Sequence, residues 1–367
     1  MITTELEALV EPLLGWYDKS HRVLPWREEP TPYRVWISEI MLQQTRVEAV
    51  RPYFARFLAA LPDIRHLAQA PEDELLKLWE GLGYYNRVRN LKKAAVEIME
   101  TYDGQMPGDY EQLLKLPGIG SYTAGAIASI AFGQAVPAVD GNVLRVITRA
   151  TADDGDIGSQ KVRRGIEERL RAVMPRQRAG DMNQALMELG AVVCIPNGAP
   201  KCGDCPWKTL CQARALGKIS EYPKKPSKKP RVIEEKTILI IQDENRTALR
   251  KRPSKGLLAG MYEFPSLPGH REEEEVLSYL KELGLKAVYI RRLEEAKHIF
   301  THREWHMIGY VIRVDELERG AFDSEEPFLF AERDETEEKY PIPSAFVRYA
   351  QYLKIRLGND KYIYSKE

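Results

Sequence analysis

No run of about 18 consecutive apolar residues occurs in this 367-residue chain, so no membrane-spanning helix is expected. The opening residues, MITTELEALVEPL, lack the basic start and apolar run of a secretory signal, and a cytoplasmic setting is expected. Net charge is absent as well: 54 Lys+Arg balance 54 Asp+Glu. The chain as a whole therefore carries no field that would advertise a nucleic-acid binder. The distribution is less even. Residues 1–217 carry 26 Lys+Arg against 27 Asp+Glu, residues 218–267 carry 12 against 6, and residues 268–367 carry 16 against 21. A basic strap thus lies between two neutral or acidic bodies, where it serves as a solvated linker or lies along a phosphate backbone. No internal repeat is visible. Two further scarcities matter most: there are only four cysteines, and no lysine falls between 116 and 160.

The length suits two or three domains with full cores. Residues 1–217 read as mostly helical. PEDELLKLWEGLG (71–83) has a start signal, an apolar face and a glycine stop, and VWISEIMLQQTRV (35–47) repeats the pattern. TAGAIASIAF (123–132) reads as a small-residue helix, apolar nearly all round and buried. Three prolines and several lysines in 218–231 predict a linker that packs little. Beyond it, KTILIIQDENRTALRKR (236–252) reads as strand, turn, strand. KAVYIRRL (286–293) and EWHMIGYVIRV (304–314) are further strands, and EEEEVLSYLKELG (272–284) is a helix stopped at Gly284. The C-terminal part is therefore expected to be a small α+β domain.

The four cysteines, 194, 202, 205 and 211, all fall in CIPNGAPKCGDCPWKTLC, with spacing C-x7-C-x2-C-x5-C. In a cytosolic setting such a cluster suggests a metal site rather than disulfides. Four thiolates suit either zinc or an iron–sulfur cluster, and spacing alone does not separate them.

LPGIGSYTA (116–124) has the form of a helix–hairpin–helix turn. Gly118 and Gly120 let the backbone approach a phosphate, and the following helix offers free N–H groups and the positive end of its dipole. Twenty residues on, VPAVDGNVLRV places Asp140 at a turn before a second helix. A lone Asp there is ordinarily a helix cap. Enzymes that cleave the strand attack the sugar with a lysine just past the hairpin, whereas Ser121 and Tyr122 stand there in this chain. An aspartate can instead stabilise a positive, oxocarbenium-like sugar, which predicts base removal without efficient strand scission. Release of a purine also calls for an acid, and glycoside chemistry uses two carboxyl groups. Glu39, among Val35, Trp36, Leu42 and Gln43, is the carboxyl whose setting would raise its pKa and keep its proton.

LPWREEPTPYRVWISEIMLQQTRV (24–47), GLGYYNRVRN (81–90), LPGIGSYTAGAI (116–127), VDGNVLRV (139–146) and NQALMELGAVVC (183–194) follow one another in order. Together they resemble the MutY-type adenine DNA glycosylases of the endonuclease III, or helix–hairpin–helix, superfamily, which remove adenine mispaired with 8-oxoguanine. The MLQQT run is the most specific element. The likeness covers most of 20–212 and extends more weakly into the C-terminal domain. It implies a multidomain chain, with an all-α helix–hairpin–helix glycosylase domain over 1–217, its hairpin at about 113–127 and an iron–sulfur loop at 194–211. A basic linker (218–232), an α+β Nudix-like lesion-recognition domain (233–350) and a C-terminal tail (351–367) follow.

By that resemblance Glu39 protonates adenine N7 and Asp140 stabilises the oxocarbenium ion. Tyr122 replaces the lysine of bifunctional relatives, and Asn142 positions Asp140 or a water. Gln44 and Tyr84 probe or wedge beside the orphaned base, Arg27 and Gln184 lie near the adenine pocket, and Gly118 and Gly120 hold phosphate. Cys194, Cys202, Cys205 and Cys211 would hold a 4Fe–4S cluster, although the family loop has one residue fewer between the first two cysteines. Phe300, Thr301 and His302 correspond to a family loop with a Phe–Ser–His core that contacts 8-oxoguanine. The Nudix catalytic order of carboxylates is missing from GHREEEEVLSYLKELGL (269–285), so the domain is expected to bind and not to hydrolyse. The partner implied is double-stranded DNA with 8-oxoguanine:adenine mispairs, met by a monomer that associates with the nucleoid through its DNA. A lyase for oxidised pyrimidines, a non-enzymatic lesion sensor and a nucleotide hydrolase are the competing readings. The three histidines 298, 302 and 306 could alternatively bind a metal.

Overall fold

The structure, a computed structural model, describes residues 6–226, 230–315 and 328–358. Contacts divide the chain into two units. One holds the residues up to Gln69 and Asn90–Lys228, and the other Ala70–Arg89 with the chain from Lys229 onward. Residues 227–229 of the expected linker and 359–367 of the expected tail lie outside the described residues.

The first unit is helical, as its sequence periodicity predicts. Thr31 caps the Pro32–Leu42 helix by accepting from Arg34 N at 3.3 Å, and Pro32 supplies a preset first position. This helix ends earlier than the 35–47 pattern suggested. Gln43 leaves the helical region (φ −58°, ψ 112°) and Gln44 is left-handed (φ 58°), so the polar QQT run is released from the helix. The small-residue helix spans Ser121–Ile130 and is buried over Thr123–Ser129. Gly125 explains its composition: a Cβ there would stand 2.3 Å from the Pro137 carbonyl oxygen, so the helix can pack on the 137–138 backbone only through a glycine. Leu9, Leu13, Val143, Ile147, Leu170, Leu186 and Trp207 join the Glu7–Ser20, Gly141–Thr151, Gln160–Val173 and Ala179–Val192 helices and the cysteine loop in one core. Trp207, inside the cysteine loop, fixes that loop by donating to the Leu9 carbonyl at 2.8 Å.

The beginning of the expected linker is packed, contrary to its composition. Tyr222 is buried, its carbonyl accepts from Arg149 Nε at 3.0 Å, and the Lys224 carbonyl accepts from Ile157 N at 3.1 Å. One aromatic residue and two hydrogen bonds to backbone carbonyls outweigh the prolines around them.

Among the described residues the second unit has a seven-stranded mixed sheet: β1 (Val232–Gln242), β2 (Arg246–Lys251), β3 (Tyr262–Glu263), β4 (Ser266–Pro268), β5 (Ala287–Ile299), β6 (Arg303–Val314) and β7 (Phe328–Glu332). The main order is β3-β2-β1-β6-β5, with β4 on β1 and β7 on β2. β1 runs parallel to β6 and the other pairs are antiparallel. The run ILII in β1 is buried on both faces. Ile238 and Ile240 join Trp305, Phe346 and Tyr349, whereas Leu239 and Ile241 join Val276 and Leu280 of the Glu273–Glu282 helix. Residues 70–89 are pinned within this unit by Lys77 Nζ to the Tyr340 carbonyl (2.9 Å), Lys251 Nζ to Asp73 (2.8 Å) and Gly358 N to Glu80 (2.9 Å).

Candidate active site

The Pro32–Leu42 helix carries Glu39 with only 5 % of its surface exposed. The Tyr122 hydroxyl, one residue into the Ser121–Ile130 helix, donates to its carboxylate. Burial raises the Glu39 carboxyl from its ordinary 4.5 to about 7. The tyrosine hydrogen bond and the charge of Arg27 pull the other way, while the charge of Asp140 adds to the rise. Burial, followed by the Glu39 and Asp140 charges, drives the Tyr122 hydroxyl well above its ordinary range, so it stays a proton donor.

Asp140 does cap a helix, as a lone turn aspartate commonly does. It accepts from Val143 N at 2.7 Å and so starts the Gly141–Thr151 helix. Its second oxygen accepts from Asn142 Nδ2 at 2.8 Å. Burial pushes its carboxyl up, and these N–H donors together with the Arg145 charge oppose that rise. The Asp140 charge thus reaches the Glu39 carboxyl, and the two groups differ in their donors. Burial pushes both carboxyls up, and the rise at Asp140 is opposed by its two N–H donors and the Arg145 charge.

Three residues that the sequence did not single out hold this arrangement. Asn183, fully buried, donates to Ser129 Oγ (2.8 Å) and the Val136 carbonyl (2.9 Å), and accepts from Ala138 N (2.9 Å). It therefore fixes the segment that delivers Asp140. Gly190 leaves room for Asn142, whose Cβ would lie 2.6 Å from a Cβ at 190. Arg145 donates to Asn142 Oδ1 and to the carbonyls of Gly190 and Cys194, each at 2.8 Å. An Arg, a Gly and an Asn inside helices carry no distinctive spacing, and only their tertiary neighbours reveal them.

Arg27 is largely buried and occupied: it donates to Glu188 at 2.9 Å and to the Arg22 carbonyl at 3.1 Å. Gln184 is half-buried on the Ala179–Val192 helix. Gln44 is exposed. In the hairpin, Gly118 (φ 76°) is exposed and packed so closely on Asn90 that a Cβ would meet the Asn90 Cβ at 2.5 Å. Gly120 precedes the Ser121–Ile130 helix in extended backbone with open space where a Cβ would stand. The hairpin therefore presents bare backbone and a helix N-terminus to solvent.

Cys194, Cys202, Cys205 and Cys211 line one pocket, together with Arg149 and Lys208. Arg149 Nη1 lies 3.4 Å from Cys194 Sγ. Four soft donors beside Arg149, Lys208 and Arg214 form a donor set fit for an anionic thiolate–metal group. Among the described residues no three His, Cys, Asp or Glu side chains converge in a way that would hold a single ion, and this includes the three histidines.

In the second unit, Phe300, Thr301 and His302 form the turn between β5 and β6. Phe300 packs between His298 and Trp305, with ring centroids at 4.6 and 4.8 Å, which leaves Thr301 and His302 exposed. The hydroxyls of Thr301 and Tyr84 share a hydrogen bond at 3.1 Å. Tyr84 is left-handed (φ 50°) and 45 % exposed. A bulky residue held at positive φ is in a costly conformation.

Residues 37–172 match the HhH-GPD superfamily of base excision DNA repair proteins and residues 237–352 match a NUDIX domain. The fold and site thus define a helix–hairpin–helix base excision repair protein joined to a Nudix-like domain. Its relatives narrow the class. The chain is 37% identical to the adenine DNA glycosylase of Homo sapiens, over 81% of this chain and 65% of that protein. It is 36% identical to the adenine DNA glycosylase of Buchnera aphidicola subsp. Acyrthosiphon pisum, over 82% of this chain and 85% of that protein. The chain belongs to the adenine DNA glycosylase family. It spans 65% of the length of the human relative. Among solved structures, a thermostable thymine-DNA glycosylase aligns with a TM-score of 0.52 and 28% identity, over 58% of this chain and 97% of that one. A trapped endonuclease III–DNA covalent intermediate shares the fold at a TM-score of 0.51 and 24% identity, over 59% of this chain and 99% of that one.

The buried Glu39 has a consequence for stability. Between 4.5 and about 7 the folded chain keeps a proton that the unfolded chain has lost, so stability falls as pH rises through that window. The whole difference amounts to about 3 kcal/mol. Glu39→Gln is expected to melt above the parent on the alkaline side of neutrality, with the gain vanishing as the medium becomes acidic. Melting curves recorded across pH check this, and a variant that melts at or below the parent throughout would show that Glu39 is not held protonated.

Proposed function

We propose that the chain excises adenine mispaired with 8-oxoguanine in duplex DNA, by base removal alone. The observation that carries this reading is the buried Glu39 carboxyl hydrogen-bonded to Tyr122, where a strand-cleaving relative needs a lysine, with Asp140 beside them. The adenine is flipped out of the stack into the pocket. Glu39 transfers its proton to N7, and the C1′–N9 bonding pair leaves with the base. Asp140, whose ionised form is favoured by two N–H donors and the Arg145 charge, faces the positive sugar, and water adds at C1′ as its proton passes to the Glu39 carboxylate. Asn142 keeps the Asp140 carboxylate oriented. Tyr122 holds the acid and, lacking an amine, forms no Schiff base.

Around this chemistry the hairpin glycines 118 and 120 take a phosphate, and Gln44 meets the bases beside the extruded nucleotide. Arg27 and Gln184 lie on the adenine side. In the second unit, Thr301 presents its hydroxyl to 8-oxoguanine with Tyr84 as its partner and stacking face, and Phe300 and His302 shape that turn. The missing Nudix carboxylate order leaves this domain a reader of the lesion. Cys194, Cys202, Cys205 and Cys211 would hold a 4Fe–4S cluster, which when bound supplies the structural cross-link of its loop. Four thiols lining one pocket supply the donor set that such a cluster needs. The protein acts as a monomer in the compartment that holds the DNA.

The reading is tested first on a labelled duplex with one adenine opposite 8-oxoguanine. Strand breaks are expected only after alkali, and Glu39→Gln should slow excision by a factor on the order of 10²–10⁴ while still binding the duplex. Breaks without alkali, or an undiminished Glu39→Gln, would refute the assignment. Thr301→Ala is expected to cut the preference for 8-oxoguanine over guanine by about fivefold, the worth of one hydrogen bond. An unchanged preference would move recognition elsewhere. Metal analysis of the purified protein should find about four irons per chain, and one zinc would overturn the cluster assignment.

A further inference from the structure

Glu188 stands four residues past Gln184 on the Ala179–Val192 helix, and its side chain is 1 % exposed. A carboxylate so placed needs donors, and it has four. Its Oε1 accepts from Arg22 N (3.2 Å) and Arg22 Nε (2.7 Å), and its Oε2 accepts from Arg22 Nη2 (3.0 Å) and Arg27 Nη2 (2.9 Å). Two guanidinium groups on one carboxylate leave a surplus positive charge. Arg22 is 31 % exposed, so water can meet its charge, whereas Arg27 is 13 % exposed and depends on Glu188 and on the Arg22 carbonyl. The Arg27 charge also reaches Glu39, whose carboxyl it pulls down.

We infer that Glu188 is a positioning residue for the acid: it holds the Arg27 guanidinium on its own carboxylate and so keeps that cation from pairing with Glu39. The inference rests on the reading of Glu39 as the general acid. Three charged or titratable groups face Glu39: Arg27 from the Pro25–Glu28 helix, Tyr122 from the Ser121–Ile130 helix and Asp140 at the start of the Gly141–Thr151 helix. Of these only Arg27 is a cation. Inside a low-dielectric pocket a cation stripped of its partner acts strongly on the next carboxyl. Glu39 would then lose its proton at lower pH, and with it the means to protonate the base. Charge balance around Glu39 is therefore shared across five helices, with Glu188 as its counterweight.

The test is the pH profile of single-turnover adenine excision by the full chain, for the parent, Glu188→Gln, Arg27→Gln and the double variant. The parent rate should fall as pH rises through the Glu39 titration. In Glu188→Gln the fall should come at lower pH, which costs about tenfold in rate above neutrality for each pH unit moved, while the acidic plateau is kept. Arg27→Gln should move it to higher pH, and the double variant should match Arg27→Gln, since Glu188 acts through that cation. A Glu188→Gln profile lowered equally at every pH, with its midpoint unmoved, would overturn the inference by making Glu188 merely structural. If that variant does not fold, Arg27→Gln decides, and a midpoint that stays or moves to lower pH would overturn it. Glu39→Gln separates the two levels of the argument. Full activity there would overturn the acid assignment and this inference together. Inactivity there with an unmoved Glu188→Gln midpoint would overturn this inference alone.

Discussion

A carboxyl group withdrawn from water holds its proton unless donors or cations compensate, and the candidate site is organised around one such group. Glu39 is enclosed by helices, receives a hydrogen bond from Tyr122 and feels Asp140 and Arg27. Each neighbour changes the free energy of its proton, so their placement matters to fractions of an ångström. That explains why a glycine is needed at 125, where the Tyr122 helix meets the segment before Asp140, and at 190, where a helix passes Asn142. It also explains why a fully buried asparagine, usually a poor core residue, spends all its hydrogen bonds on residues 129–138.

Asp140 combines two physical roles. As an N-cap it is a structural necessity of the Gly141–Thr151 helix, and the same N–H donors that make it a cap favour its ionised form. Helix stability and site electrostatics are in this way the same pair of hydrogen bonds. Arg145 extends the arrangement by tying Asn142 to the carbonyl of Cys194, so the helix that carries Asp140 is continuous with the cysteine loop.

The second unit obeys a different constraint, the burial of both sheet faces. β1 alternates its apolar residues between two cores, and this fixes the register of β6 beside it and hence the turn at 300–302. Residues 70–89 group with this sheet although they precede it by some 140 positions in the chain. The Tyr84–Thr301 hydrogen bond is a product of that grouping.

Much of this was legible in the residues. Apolar periodicity marks the helices and strands, because one face of each element must leave water. The hairpin glycines, the aspartate at its turn, the missing lysine and the clustered cysteines are all local patterns, and local patterns survive without coordinates. The Pro32–Leu42 helix was seen but its end was not, since the left-handed Gln44 depends on surroundings that periodicity does not encode. The packed start of the linker escaped for a similar reason: Tyr222 is buried by partners 70 residues away. What only the tertiary structure decided is who stands beside whom. Glu188 is one acidic residue among 54 in the sequence, and it becomes a counterweight only when the chain brings Arg22 and Arg27 to it from more than 160 positions away. Burial and pairing are properties of that convergence, and so is the upward push on the Glu39 and Asp140 carboxyls.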